Sequence, residues 1–197
     1  MKKVIGLTGS IASGKSTVSN KLSELGYPII DCDKINHEIL KPNNVGYIAV
    51  IEEFGKDILS IDNQIDRTKL GKMVFNNPKI KERLNQILHP LIKERVKGEI
   101  NKYDDGIIIL DCPLLFETDF HELCDLKIVV YVNMDTQIHR LMKRDGITFP
   151  EALKKIYAQM PLEDKLSLAD FVIDNCHGLG DLDWQIKQLL FRLERMN

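Results

Sequence analysis

Apolar residues are arranged along the chain in two distinct ways. Residues 4–7, 28–30, 106–110, 127–132 and 171–173 are short, mostly apolar runs with no regular polar alternation. Such runs are expected for strands buried on both faces, as in a parallel sheet sandwiched between helices. Elsewhere apolar residues recur every three or four positions. Val18, Leu22 and Leu25 mark a helix after the first run, and Leu182, Ile186, Leu189, Leu190 and Leu193 mark a closing helix over residues 182–195. The pattern predicts an α/β architecture with five strands.

One stretch interrupts the strand–helix alternation. Between Asp33 and Gly106 there are only helical patterns: Ile48, Ile51 and Phe54, then Leu70, Met73 and Val74, then Ile80, Leu84, Ile87 and Leu88. Pro90 lacks an amide proton, so it is expected to restart a helix that runs on toward Lys102. This stretch reads as a helical insertion. A smaller excursion from Asp145 to Leu168, broken by Pro150 and Pro161, follows a helix carrying Arg140 and Arg144.

With 197 residues, the chain fits one domain carrying an insertion. Hydrophobic residues at 44% and charged residues at 28% exclude disorder and fibrous repeats. No apolar run approaches the ~20 residues of a membrane span. Gly6, Thr8 and Gly9 interrupt what would be a signal peptide, so a soluble cytoplasmic protein is expected. The net charge of −2 hides an asymmetry: residues 66–102 hold ten Lys or Arg against four Asp or Glu. That block either attracts an anion or is a solvated helix face. Cys32, Cys112, Cys124 and Cys176 form no Cys-x-x-Cys pair, and the five histidines have no metal-ligand spacing. Reduced, mostly buried thiols are expected.

Gly9-Ser10-Ile11-Ala12-Ser13-Gly14-Lys15-Ser16 matches G-x-x-x-x-G-K-[ST] and lies between a strand run and a helix, as the motif requires. Its backbone N–H groups can face phosphates, Gly14 permits close approach, Lys15 supplies charge and Ser16 can ligate magnesium. Asp33 follows the second run on the same sheet edge, where ligands bind. It is either a base for an attacking hydroxyl or the N-cap of a helix beginning near Lys34. Asp111 ends the third run as a second magnesium-side carboxylate. Arg140 and Arg144, four apart, can share a helix face and clamp a transferring phosphoryl group. Asn101-Lys102-Tyr103-Asp104 imitates the guanine-reading motif of GTPases, but no D-x-x-G lies between it and the phosphate loop.

Taken together, these segments resemble the dephospho-coenzyme A kinase family. The resemblance runs through Ile30-Asp31-Cys32-Asp33, Ile65-Asp66-Arg67, Leu88-His89-Pro90, Asp111-Cys112-Pro113-Leu114-Leu115-Phe116-Glu117, Gln159-Met160-Pro161 and Ala169-Asp170-Phe171-Val172-Ile173-Asp174-Asn175. It implies a P-loop kinase core of residues 1–35, 104–139 and 169–197, a helical coenzyme A-binding insertion 36–103 and a lid 140–168. It further implies ATP-dependent, magnesium-assisted phosphorylation of the ribose 3′-hydroxyl of dephospho-coenzyme A, the last step of coenzyme A biosynthesis. Asp33 is then the base, possible Mg2+ partners through water are Asp33 and Asp111, and Ala12, Ser13, Gly14, Lys15, Ser16 and Thr17 hold ATP. Arg140 touches the nucleotide phosphates, Asn175 lies near adenine, and Arg67, His89 and Leu115 meet the acceptor. No nucleic acid or membrane partner is expected, and the protein is expected to be a monomer or weak homo-oligomer. The rival readings are a shikimate-type or nucleotide kinase, and a GTPase-like switch. Departures from the family pattern are Ser10 and Ala12 in place of glycines, Lys155 in place of arginine, and Cys176-His177 in place of Asn-Gly.

Overall fold

The computed structural model describes residues 1–177 and 179–194. One sheet contains β1 (Lys2–Gly9), β2 (Ile29–Asp31), β3 (Gly106–Asp111), β4 (Leu126–Tyr131) and β5 (Phe171–Asp174), in the order β2-β3-β1-β4-β5. β1 runs parallel to β3 and β4, and β4 runs parallel to β5. All five expected strands are present, with ends shifted by no more than two residues. The chain divides into two compact units, Met1–Ile30 with Tyr103–Asn197, and Asp31–Lys102.

In the first unit, α1 (Lys15–Glu24) and α9 (Leu179–Glu194) cover one face of the sheet. Ile5, Leu7, Ile128, Val130 and Ile173 share a buried cluster with Val18, Leu22, Leu182, Ile186, Leu189 and Leu193. The alternate strand residues Val4, Ile108, Leu110 and Val129 are buried as well. This two-sided burial is why the strands lack polar alternation. The closing helix ends at Glu194, so Arg195 lies outside the described residues. Gly6 sits where the sheet is crowded: a Cβ there would lie 2.8 Å from both Cys124 Sγ and Leu115 Cδ2. Burial, with Cys112 nearby, pushes the Cys124 thiol up to about 12. All four cysteines are free thiols. The remaining helices of this unit are α6 (Met134–Asp145), α7 (Phe149–Tyr157) and α8 (Leu162–Ser167).

The second unit is helical: α2 (Cys32–Ile39), α3 (Val45–Phe54), α4 (Arg67–Asn76) and α5 (Pro78–Ile100), with α2, α3 and α4 all packed on α5. Asp66 caps α4 through the N–H groups of Thr68 and Lys69, and Asn77 caps α5 through those of Lys79 and Ile80. The expectation that Pro90 restarts a helix is corrected, because α5 runs unbroken through it. An interior proline costs roughly 3 kcal/mol. The same helix buries Leu88, Ile92, Val96 and Ile100, and each such side chain returns about 1.5–3 kcal/mol. Packing along the whole length therefore outweighs the local defect. Among the described residues, no helix is long and apolar enough to cross a membrane.

The crowding at Gly6 yields a direct expectation. Gly6→Ala should lower unfolding stability by about 1–3 kcal/mol in a urea titration, the usual cost of overpacking. An unchanged midpoint would mean that Leu115 and Cys124 move aside freely.

Candidate active site

Residues 10–14 form the turn between the end of β1 and the start of α1. Within it Ala12 has φ 60 and Gly14 has φ 89, both left-handed. Such residues turn successive N–H groups to one side and create an anion-binding concavity. At Gly14 a Cβ would lie 2.0 Å from Asn175 Nδ2, so only glycine fits and the peptide there stays bare.

The turn is braced from outside. Ile11 donates its N–H to Gln159 Oε1 and accepts at its carbonyl from Gln137 Nε2, both at 2.8 Å. The Ser13 carbonyl accepts from Asn175 Nδ2 at 2.8 Å and from Arg140 Nη1 at 3.5 Å. Arg140 Nη2 also donates to the Asn175 carbonyl at 2.9 Å. Ile11 and Ala12 pack on Ile138, Leu141 and Ala152 of α6 and α7. Gln137 and Gln159 were not singled out as site residues in the sequence, since an isolated glutamine carries no spacing signal. Asn175, expected near adenine, is buried and serves as a brace for the loop.

Lys15 Nζ is ion-paired with Asp111 Oδ1, and both side chains are mostly buried. The pairing follows from register, because Asp111 stands opposite Leu7 on the adjacent strand. Beyond Asp111, the Pro113 carbonyl accepts from Thr8 Oγ1 at 3.1 Å and from Lys165 Nζ at 3.3 Å. Lys165 is fully buried and ion-paired with Glu117 at 2.7 Å. Leu115, expected to meet the acceptor, is instead fully buried against Gly6, whereas Leu114 is 40% exposed. Burial under β1 corrects that assignment. Ser16 and Thr17 lie in the first turn of α1.

The two arginines of α6 diverge. Arg140 reaches the phosphate loop, while Arg144 pairs with Asp145 at 2.7 Å. Lys155 of α7 pairs with the same carboxylate at 2.6 Å, so the lysine that replaces the family's arginine still finds an ionic partner. Cys176 Sγ accepts the Asn133 N–H at 3.2 Å.

In the second unit, Asp31 is the N-cap of α2, accepting from the N–H groups of Asp33 and Lys34 at 2.9 and 3.0 Å. The helix thus begins at Cys32, and the capping alternative for Asp33 is removed. Asp33 stands exposed in the first turn. Arg67 Nη1 meets His37 Nε2 at 2.7 Å, a partnership that sequence spacing did not reveal. His89 lies half-buried on α5. Asn101 ends α5 and Lys102 pairs with Glu99, so the guanine-motif imitation is a helix terminus.

A glycine-lysine phosphate loop joining the first strand and helix of this parallel sheet, with lysine and arginine at the loop, defines the P-loop kinase class. The family model for Dephospho-CoA kinase matches residues 3–181, and the chain belongs to that family. A Dephospho-CoA kinase from Carboxydothermus hydrogenoformans is 50% identical over 95% of this chain and 92% of its own length. Among solved structures, a protein from Thermus thermophilus is 30% identical with a TM-score of 0.84, covering 98% of both chains. A Dephospho-CoA kinase from Campylobacter jejuni is 31% identical with a TM-score of 0.74, covering 100% of both.

Two expectations follow from the loop and from the ion pairs at Asp145. Ala12→Gly should raise stability by about 0.5–1 kcal/mol in urea denaturation, because relief of left-handed strain exceeds the entropy glycine adds to the unfolded chain. A loss of stability would show that the Ala12 methyl contact matters more than its backbone. Separately, Arg144 and then Lys155 hold the Asp145 carboxyl at about 2, below its ordinary 3.8. The folded value is the lower one, so this stabilisation is complete above the unfolded value and is lost as pH falls through about 2. Carbon-detected NMR of Lys155→Ala should find Asp145 titrating at higher pH; no change would assign the effect to Arg144 alone.

Proposed function

We propose that the protein transfers the γ-phosphoryl group of ATP to the ribose 3′-hydroxyl of dephospho-coenzyme A. The observation that carries this reading is the braced phosphate loop with Lys15 and Arg140 beside it, in a chain of the Dephospho-CoA kinase family. Residues 12–17 bind the triphosphate through loop N–H groups and the N-terminus of α1. Lys15 neutralises phosphate charge, and Arg140 stabilises the charge on the group in transit. Asp33 accepts the proton of the attacking hydroxyl. The helical unit with Arg67 and His89 holds the acceptor, and residues 140–168 form the lid.

Magnesium suits the donor set. Ser16 and Asp111 are the side chains that would hold it, and among the described residues no group of three His, Cys, Asp or Glu could bind an ion alone. That fits a cation which keeps waters and takes phosphate oxygens. When bound, it neutralises charge on the phosphate oxygens.

A coupled ADP-release assay offering ATP with dephospho-coenzyme A, shikimate or a nucleoside monophosphate tests the reading. Turnover is expected with dephospho-coenzyme A, and its absence there sinks the proposal. Asp33→Asn should lower kcat by roughly 10²–10⁴ with ATP binding nearly unchanged, because the base is lost while the loop remains. Asp31→Asn, which preserves a good cap, is the control. If it were the slower enzyme, the base would be Asp31.

A further inference from the structure

Lys165 of α8 is fully buried, a state that lysine almost never adopts unless it is paired. Its ammonium meets two groups of one short segment: Glu117 Oε1 at 2.7 Å, and the Pro113 carbonyl, to which it donates at 3.3 Å. Both Glu117 carboxylate oxygens are enclosed, and among the described residues neither accepts a hydrogen bond, so the Lys165 ammonium is what offsets their charge. A buried pair of this kind adds little to stability over apolar packing. Its placement needs another account.

Pro113 stands two residues beyond Asp111. Its carbonyl also accepts from Thr8 Oγ1 at 3.1 Å, and Thr8 directly precedes Gly9, where the phosphate loop begins. Six residues before Lys165, Gln159 accepts the Ile11 N–H of that loop at 2.8 Å. Residues 159–165 therefore grip the phosphate loop at one end and the segment after Asp111 at the other. Backbone pairing of that segment with β1 reaches Cys112, whose N–H donates to the Leu7 carbonyl at 3.0 Å. The Asp111 carboxylate itself is held by Lys15. When Lys15 turns to a phosphate it gives up that partner, and the contacts at Pro113 and Glu117 are what remain to keep the chain beyond Asp111 in place.

We infer that Lys165 is a positioning residue for the Asp111 carboxylate, acting through Pro113 and Glu117, and that it keeps Asp111 set for magnesium when Lys15 leaves it for the nucleotide. This rests on the proposed function, in which Asp111 is one of the side chains that would hold the ion. Being fully enclosed, Lys165 touches no substrate and acts only through its neighbours.

Calorimetric titration of the whole protein with ATP, once with magnesium and once with a chelator, tests the role. The readout is the factor by which magnesium tightens ATP binding. In Lys165→Met that factor should fall roughly tenfold, as when a group supporting a metal ligand is removed, while affinity for ATP alone holds because the loop is intact. General loosening of the structure would weaken both affinities together, and that result overturns the inference. So does an equal magnesium effect in variant and wild type, or none in the wild type. Lys165→Met strands the Glu117 charge; should it fail to fold, Lys165→Met combined with Glu117→Leu removes both charges and decides by the same factor. No acceptor enters the measurement. Absence of turnover with dephospho-coenzyme A would sink the kinase reading and leave this role standing, whereas an unaltered magnesium effect would do the reverse.

Discussion

A chain that binds a polyphosphate through backbone must keep several N–H groups on one side of a short turn, and that shape is costly for L-residues. Ala12 alone, at φ 60, costs roughly 1–2 kcal/mol. The turn persists because hydrogen bonds with Gln137, Gln159, Asn175 and Arg140 hold two of its carbonyls and one N–H. At about 1 kcal/mol net each, these bonds exceed the strain, and the Ile11 and Ala12 contacts with α6 and α7 add to them. Every bracing side chain is more than 120 residues away in sequence. The segment that follows β4 is thus part of what shapes the loop, in addition to any part it plays over bound substrate.

The second consequence concerns Asp111. Its pairing with Lys15 depends on where the chain after β3 is held, and that chain is fixed at Pro113 by Thr8 and Lys165 and at Glu117 by Lys165. A fully buried ion pair is seldom a net gain over apolar packing, yet removing one partner typically costs 3–5 kcal/mol because the other charge is stranded. Lys165 therefore ties α8 to the segment that follows Asp111 in a way that an aliphatic residue could not reproduce, since only the ammonium serves both a carbonyl and a carboxylate.

What could be read from sequence divides along physical lines. Strands buried on both faces and amphipathic helices impose local periodicities, so the five strands and the positions of α1, α3, α4 and α9 were legible, as was the phosphate loop. Pro90 misled because the decisive term was packing of α5 with three other helices, which no local rule contains. Leu115 misled for a related reason: adjacent Leu114 and Leu115 are chemically alike, and only the path of the chain buries one and exposes the other. The His37–Arg67 contact and the Gln137 and Gln159 braces join distant positions through single hydrogen bonds. A single polar residue carries no spacing from which such a partner could be inferred.

The positive excess in residues 66–102 shows why charge counts alone decide little. Lys69 pairs with Asp66, Arg83 with Glu53, Lys97 with Glu94, and Arg95 and Lys102 share Glu99. Exposed pairs of this kind contribute at most about 1 kcal/mol each, and they describe a solvated helix face. Arg67 differs in placement. The Asp66 cap sets it at the first position of α4, and its contact with His37 holds the guanidinium at a cavity lining. A flexible surface cation must lose rotamer freedom to meet an anion, whereas one already fixed by a neighbour loses less. The basic block is therefore not uniform: most of its charges solvate helices, whereas Arg67 is held in place by a neighbour at a cavity lining.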